Sequence, residues 1–293
     1  MRPGNYLAGH RRRYPAADTV SQVSEAKVGV LLRGWRQRRR ISQLDLSLQV
    51  GVSARHLSFV ETGRSRPSPE LLLALADGLD IPLRESNTLL LAAGYAPRYP
   101  ARPLDDASLT PAREAVRRLL DLHSPYPGVA IDRCWNIVTA NAAASALTAG
   151  LPEELLGPPV NIFRVCLHPR GLAPRTRNFE QWSGYLLRQL RRTVALTDDP
   201  AVRALESEVR RYPGVRDPQG QPGWPAGGPL LVPLDLDDAA GQRMSMFTTV
   251  TTFGTPRDVT LDELSVELFY PADDASAALL RAAGGVGAGA AER

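Results

Sequence analysis

A chain of 293 residues, 43% of them hydrophobic, is long enough for two domains with cores of their own. No apolar run reaches membrane-spanning length and no basic-then-apolar signal segment opens it, which points to a cytoplasmic protein with no membrane partner. The net charge of +4 is unevenly spread, since residues 1–100 carry fifteen basic and eight acidic side chains. A basic N-terminal third on a mildly acidic body is the electrostatic footprint of a nucleic-acid reader with a separate module.

Residues 1–25, with Arg11, Arg12 and Arg13 in a Pro/Ala setting, read as a disordered basic arm. Such an arm serves either as a nonspecific tail or as a minor-groove contact. The segment VGVLLRGWRQRRR predicts a first amphipathic helix on Leu31, Leu32 and Trp35, with Arg38, Arg39 and Arg40 complementing its C-terminal dipole. Next, Leu44, Leu46, Leu48 and Val50 alternate as a strand would. Ser42 with Asp45 three residues on forms a capping-box-like start, however, and Gly51 supplies a left-handed stop, so the segment is predicted helical. Leu46 and Val50 then face a core, small Ser47 lets the next helix cross closely, and Leu44 and Leu48 stay outside. Ser53 caps a further helix that Gly63 ends. Ser68-Pro69 opens another, with the stripe Leu72, Leu75, Ala76 and Leu79, and RESNTLLLAAGYAP closes the set before Pro97.

Five short helices over residues 26–97 make one all-α domain. Within it, two helices joined by a glycine turn over 42–63 are the arrangement that seats a row of side chains in a DNA major groove. The exposed row of the second of these is predicted to be Ser53, Ala54, Arg55, Ser58 and Phe59. Arg55 is the main base-reading candidate, because a guanidinium can bond guanine O6 and N7 together; a phosphate contact is its simpler alternative. Arg64 and Arg66 follow as backbone clamps or as solvated loop charge.

Residues 105–284 predict a mixed α+β domain. TPAREAVRRLLDLH is a helix, GVAIDRCWNIVTAN two short strands around Asp132-Arg133, and NAAASALTAG a helix. The stretch from Asn178 to Pro213 gives two amphipathic helices broken near Thr197–Pro200. A Gly/Pro-rich loop over 212–229 precedes three strand-like segments, LLVPLDLDD, RMSMFTTVTTF and DELSVELFYPAD, expected to form an antiparallel sheet. A short alanine-rich helix follows, then a disordered tail over 285–293.

The wording LRGWRQRRRISQLDLSLQVGVSARHLSFVETGRSRPS…AAGYAP resembles the XRE (lambda-repressor-like) helix-turn-helix family. More narrowly it resembles the MmyB-like regulators of actinomycetes, and the resemblance continues through PPVNIFRVCLHPRGL and TTFGTPRDVTLDELSVELFYPAD. It implies a five-helix reader, a PAS-like C-terminal domain, a phosphate contact from Gln43, and an internal salt bridge between Arg36 and Glu61. It also implies that the C-terminal domain binds a fatty acid or acyl metabolite, and the single short reading helix suggests a homodimer on double-stranded DNA.

For the ligand head group, Asn161, Arg164 and His168 share one helical face in NIFRVCLHPRG; the alternative is that they merely hold the His-Pro-x-Gly turn to the sheet. Phe163, Trp182 and Phe247 are candidates to line an apolar cavity. An enzyme is disfavoured. The four histidines are scattered, no CxxC or HxxxH spacing offers a metal site, no cofactor motif occurs, and adjacent Asp262 and Glu263 would point apart on a strand. Cys134 and Cys166 read as core thiols. The competing reading of the C-terminal domain is a ligand-free dimerisation or partner-docking module, suited to the exposed Leu44 and Leu48 and to the Pro-rich loop.

Overall fold

The computed structural model describes residues 28–197, 199–216, 231–238 and 240–288. The arginine arm and most of the Gly/Pro loop lie outside these residues. The chain divides into two compact units. Of the described residues, one holds those up to Pro103 together with Gly254–Asp262; the other holds those of Leu104–Phe253 and those from Glu263 onward.

The first unit begins with α1 (Val28–Arg38), α2 (Gln43–Val50), α3 (Ala54–Glu61), α4 (Pro69–Gly78) and α5 (Leu83–Ala92). Caps set their boundaries. The Ser42, Ser53 and Ser68 hydroxyls accept from the backbone N of Asp45, His56 and Leu71, and Gly51 ends α2 at φ 73°. Leu32, Trp35, Leu46, Leu57, Val60, Leu72, Leu75, Leu79, Leu89 and Leu90 make the core. Ser47 is buried in α2, while Leu44 and Leu48 stand 59% and 72% exposed. Helix α1 runs so close to α3 that a Cβ at Gly29 would lie 2.4 Å from the Val60 carbonyl oxygen. The arginines ending α1 reach beyond their own helix. Arg39 donates to the carbonyls of Leu79 and Asp80, which terminates α4, and Arg38 lies over the Trp35 ring at 4.2 Å.

The same unit takes in the segment between the two longest strands of the other one. Helix α5 starts at Pro82, whose side chain cannot cap, and the Asp262 carboxylate accepts from the backbone N of Leu83 at 3.0 Å instead. Val259, buried in this segment, donates its backbone N–H to the Pro100 carbonyl; Asp258 pairs with Arg102 at 3.0 Å, and the Thr260 hydroxyl donates to the Arg102 carbonyl. Asp262 therefore ends a short helix, α12 (Val259–Asp262), and does not lie on a strand. Removing such a cap costs about 1 kcal/mol. We expect Asp262→Ala to lower the urea midpoint of the DNA-binding unit accordingly, read by amide exchange at Leu83 and its neighbours in α5.

The second unit contains α6 (Thr110–Leu122), α7 (Ala142–Leu147), α8 (Glu153–Leu156), α9 (Ile162–Leu167), α10 (Phe179–Thr197), α11 (Pro200–Val209) and α13 (Asp274–Ala288). Helix α13 runs through residues expected to form the tail, and 289–293 lie outside the description. Five strands, β1 (Gly128–Ile131), β2 (Ile137–Ala140), β3 (Leu234–Asp237), β4 (Arg243–Thr252) and β5 (Ser265–Pro271), form one antiparallel sheet in the order β2-β1-β5-β4-β3. Strand parity sorts the side chains onto two faces. Gly128 and Leu268 meet α6 through Leu120, whereas Met246, Leu234 and Leu236 join the core built by Phe163, Trp182, Leu186, Leu187, Leu190, Val202 and Leu205 from α9, α10 and α11.

Candidate DNA-reading face and buried polar cluster

Helix α3 turns Leu57, Val60 and Glu61 inward. On its other side Ser53 and Arg55 are exposed, and Ala54, Ser58 and Phe59 are partly so. The Arg55 guanidinium lies 5.3 Å from the Phe59 ring centroid and that of Arg64 lies 6.0 Å from it, so one aromatic ring steadies two cations on one face. Arg66, the other predicted clamp, is exposed and also engaged within the protein. It donates to the Ala93 carbonyl at 2.7 Å and stacks over Tyr95 at 4.9 Å, tying the loop after α3 to the end of α5.

Arg36 grips Glu61 with both arms, Nε to Oε1 at 2.6 Å and Nη2 to Oε2 at 2.8 Å, and its third nitrogen reaches the Ile41 carbonyl. Gln43 Nε2 also donates to Glu61, at 2.7 Å, which fixes the N-terminus of α2 against the reading helix. Burial works to raise the Glu61 pKa, but the hydrogen bonds from Arg36 and Gln43 outweigh it and hold the carboxyl below its ordinary value. Arg55→Ala should lose about 1–3 kcal/mol on a specific operator and little on scrambled DNA, whereas Gln43→Ala should weaken both alike. Equal losses for Arg55→Ala in fluorescence anisotropy would make it a phosphate contact.

In the second unit the predicted head-group residues are held by the protein itself. Asn161 caps α9, and its side-chain amide donates to Cys134 O and Asn136 Oδ1. Arg164 makes a two-armed pair with Glu208 at 2.8 and 2.7 Å, and the Tyr212 hydroxyl donates to the same carboxylate. His168 packs edge-on to Tyr212, and its Nδ1 accepts from the Arg170 backbone. Arg164 and His168 fasten the His-Pro-x-Gly turn to α11 and its C-terminal flank, and Asn161 ties the start of α9 to the β1–β2 turn. Phe163 is fully buried core, edge-on to Trp135. Phe247 is corrected to the opposite face of the sheet: it pairs with Tyr270, stacks on it at 5.4 Å, and Tyr270 in turn meets His123.

Trp182 lies in the core on α10, stacked on Tyr185 at 5.3 Å, with its indole N–H buried. Burial pushes the Cys166 thiol up to about 12, Glu267 raises it further, and a hydrogen bond with Trp182 pulls the other way. Glu267 sits in the middle of β5, 6% exposed, between Val129 on β1 and Val250 on β4. Burial pushes its carboxyl up to about 7, and the Thr248 hydrogen bond pulls the other way. The Arg133 guanidinium is engaged elsewhere, with Asp199 and Glu263. Glu267 is thus a carboxyl buried in the apolar layer between sheet and helices, hydrogen-bonded to the partly buried Thr248. A separate cleft of about 250 Å³ lies between α6 and the β1–β2 edge, walled by Val116, Ala130 and Leu264. It falls below the usual range of ligand pockets, about 300–1,000 Å³, and its Arg113 is spent on the Leu104 and Asp106 carbonyls. No helix among the described residues is long and apolar enough to cross a membrane.

Comparison with known proteins agrees with both halves of this description. Residues 32–86 match the helix-turn-helix family, and residues 112–283 match the MmyB-like transcription regulator ligand binding domain. Over 94 residues the chain is 36% identical to the transcriptional regulator ClgR of Mycobacterium tuberculosis, an overlap of 32% of this chain and 79% of that one. A solved structure of an RNA-binding light-oxygen-voltage receptor aligns with 93% of this chain and 66% of its own length, at 13% identity and a TM-score of 0.24, too distant to carry an argument. A capped reading helix locked by Arg36 and Glu61, followed by a sheet domain with a family match over most of its length, places this chain in the MmyB-like family of DNA-binding transcription regulators, with a helix-turn-helix reader and a ligand-binding domain.

Proposed function

We propose that this regulator is a cytoplasmic, homodimeric transcription factor whose affinity for its operator is set by a long-chain acyl ligand, a fatty acid or an acyl metabolite. The observation that carries the reading is Glu267, a carboxyl buried at the core of an otherwise apolar layer in the domain that matches the ligand-binding family. Ligand pockets are mostly apolar with a few converging polar groups. DNA contact is assigned to Ser53, Ala54, Arg55, Ser58, Phe59 and Arg64, with Gln43 at the α2 N-terminus suited to a phosphate. A reading helix of two turns grips few base pairs. Two copies on half-sites about 10 bp apart would supply the remaining affinity, and the exposed Leu44 and Leu48 on α2 offer an apolar contact for the second copy.

The ligand acts by binding one conformation of the regulator better than another. Gentle purification followed by native mass measurement and analysis of what denaturation releases tests the whole reading. A dimeric mass and a stoichiometric lipid are the expected results. A monomer with a single half-site footprint removes the dimer. An empty protein that ignores added acyl compounds turns the C-terminal domain into a docking module.

A further inference from the structure

Strand β4 outruns one of its neighbours. Strand β5 pairs with it from Met246 to Thr252, but β3 pairs only from Arg243 to Met246. Among the described residues no strand meets that second edge beyond Met246, and Thr249, Val250, Thr251 and Thr252 are exposed. One bond sets the parity of this edge. Ser245 accepts from the Ala272 N–H, so the odd-numbered residues of β4 turn their backbone groups to β5. The N–H and C=O groups of Thr248, Val250 and Thr252 therefore point to the bare side. Native proteins blunt such an edge with charge, proline or a bulge. Residues 247–253 carry no charge, no proline and no glycine. They read Phe-Thr-Thr-Val-Thr-Thr-Phe, the same in both directions about Val250.

Resting on the homodimer reading above, we infer that a second copy of this chain docks on this edge, β4 against β4, antiparallel, with the two-fold axis at Val250. Val250 then exchanges N–H and C=O with its own counterpart. Thr248 does the same with Thr252 of the other copy, so every outward group finds a partner. Threonine faces threonine on both sides of the axis and Phe247 faces Phe253 at each end, pairings that stabilise antiparallel strands. With no charge in the segment, no like charges meet across the axis. The chain's own residues 217–230, which lead toward β3, hold Pro218, Pro222, Pro225 and Pro229. They cannot offer an unbroken run of amide hydrogens to the same edge. One continuous sheet runs through both ligand-binding domains of the dimer.

The test is sedimentation velocity of the full-length protein beside its Val250→Pro and Thr252→Pro variants. Each removes an N–H that points away from β5, a place where an edge strand tolerates proline. With folding verified by circular dichroism, either variant is expected to raise the dimer dissociation constant at least ten-fold. Val250→Cys reads the register. Facing Cα atoms of a hydrogen-bonded pair lie about 5.5 Å apart, within disulfide reach. Copper-catalysed air oxidation should therefore join two Val250→Cys chains and leave Thr249→Cys, offset from its counterpart, and the native protein unjoined. Should a proline variant unfold, the Val250→Cys cross-link decides alone. A native protein that sediments as a monomer removes the homodimer reading and this inference with it. A dimer that survives both prolines, or that Leu44→Ser with Leu48→Ser dissociates instead, keeps the homodimer and overturns the β4 interface. Cross-linking of Thr249→Cys as fast as Val250→Cys overturns the axis at Val250.

Discussion

Arg36→Ala is expected to abolish operator binding by unfolding the reader, with no loss of any DNA contact. The guanidinium makes three hydrogen bonds, two of them to a Glu61 side chain only 2% exposed, and it joins α1 to the reading helix. Deleting it leaves a buried carboxylate with Gln43 as its remaining hydrogen-bond partner. Breaking one side of a buried pair costs about 3–5 kcal/mol, which for a unit of this size lowers its melting temperature by roughly 12–40 °C. Circular dichroism melts and anisotropy on operator DNA check this together. An unchanged melt with lost binding would move Arg36 to the DNA surface. The pair also sets an acid limit. Because folding lowers the Glu61 pKa, its stabilisation is complete above the ordinary carboxylate range and disappears as pH falls through the folded value.

Glu267 should behave in the opposite sense. Its folded pKa of about 7 lies above the ordinary 4.5, so between those values the folded protein holds a proton that the unfolded chain has released. Stability from this group is therefore present in full below pH 4.5 and declines as pH rises to 7, with no further loss above. The cost reaches about 3 kcal/mol. The neutral variant Glu267→Gln should accordingly be more stable than the native protein at pH 8 by an amount of this order, with the gap closing toward pH 5. Urea midpoints at pH 5, 6, 7 and 8 measure it. A gap that stays constant with pH would mean that Glu267 is ionised throughout. Native residues retained at such a cost are characteristic of binding sites, where stability is given up for recognition.

The helices of the reader were legible because their stops and starts are local chemistry. Ser42, Ser53 and Ser68 each precede a helix and cap it, and Gly51 takes the left-handed conformation its position requires, which is why the strand-like alternation of Leu44 to Val50 did not mislead. The strands were legible from composition, but their facing was not. Phe247 and Thr248 are neighbours on opposite faces, and only the pairing of Phe247 with Tyr270 and of Val250 with Glu267 reveals which residue meets the helices. In sequence, SVELF shows its glutamate as the polar member of an alternation, the usual mark of a solvent-facing position. Asn161 and His168 cap the two ends of α9, and Asn161 turns to Cys134 and Asn136 while Arg164 and His168 turn to Glu208 and Tyr212. The partners of Arg164 and His168, Glu208 and Tyr212, lie more than forty residues away and had no local signal.

The segment Gly254–Asp262 gives the reader a boundary that no single cut can respect. A fragment ending at residue 103 would contain all five helices and still lack Asp262 at the start of α5 and the buried Val259. Anyone transplanting this DNA-binding module onto another effector would have to carry the β4–β5 hairpin with it, or engineer a new N-cap at position 82. The same arrangement suits complementation in trans: a synthetic peptide spanning 254–262 should rescue the thermal stability of the short fragment. The ligand-binding domain has in effect lent the reader a structural part, and two polypeptides expressed separately would have to return it.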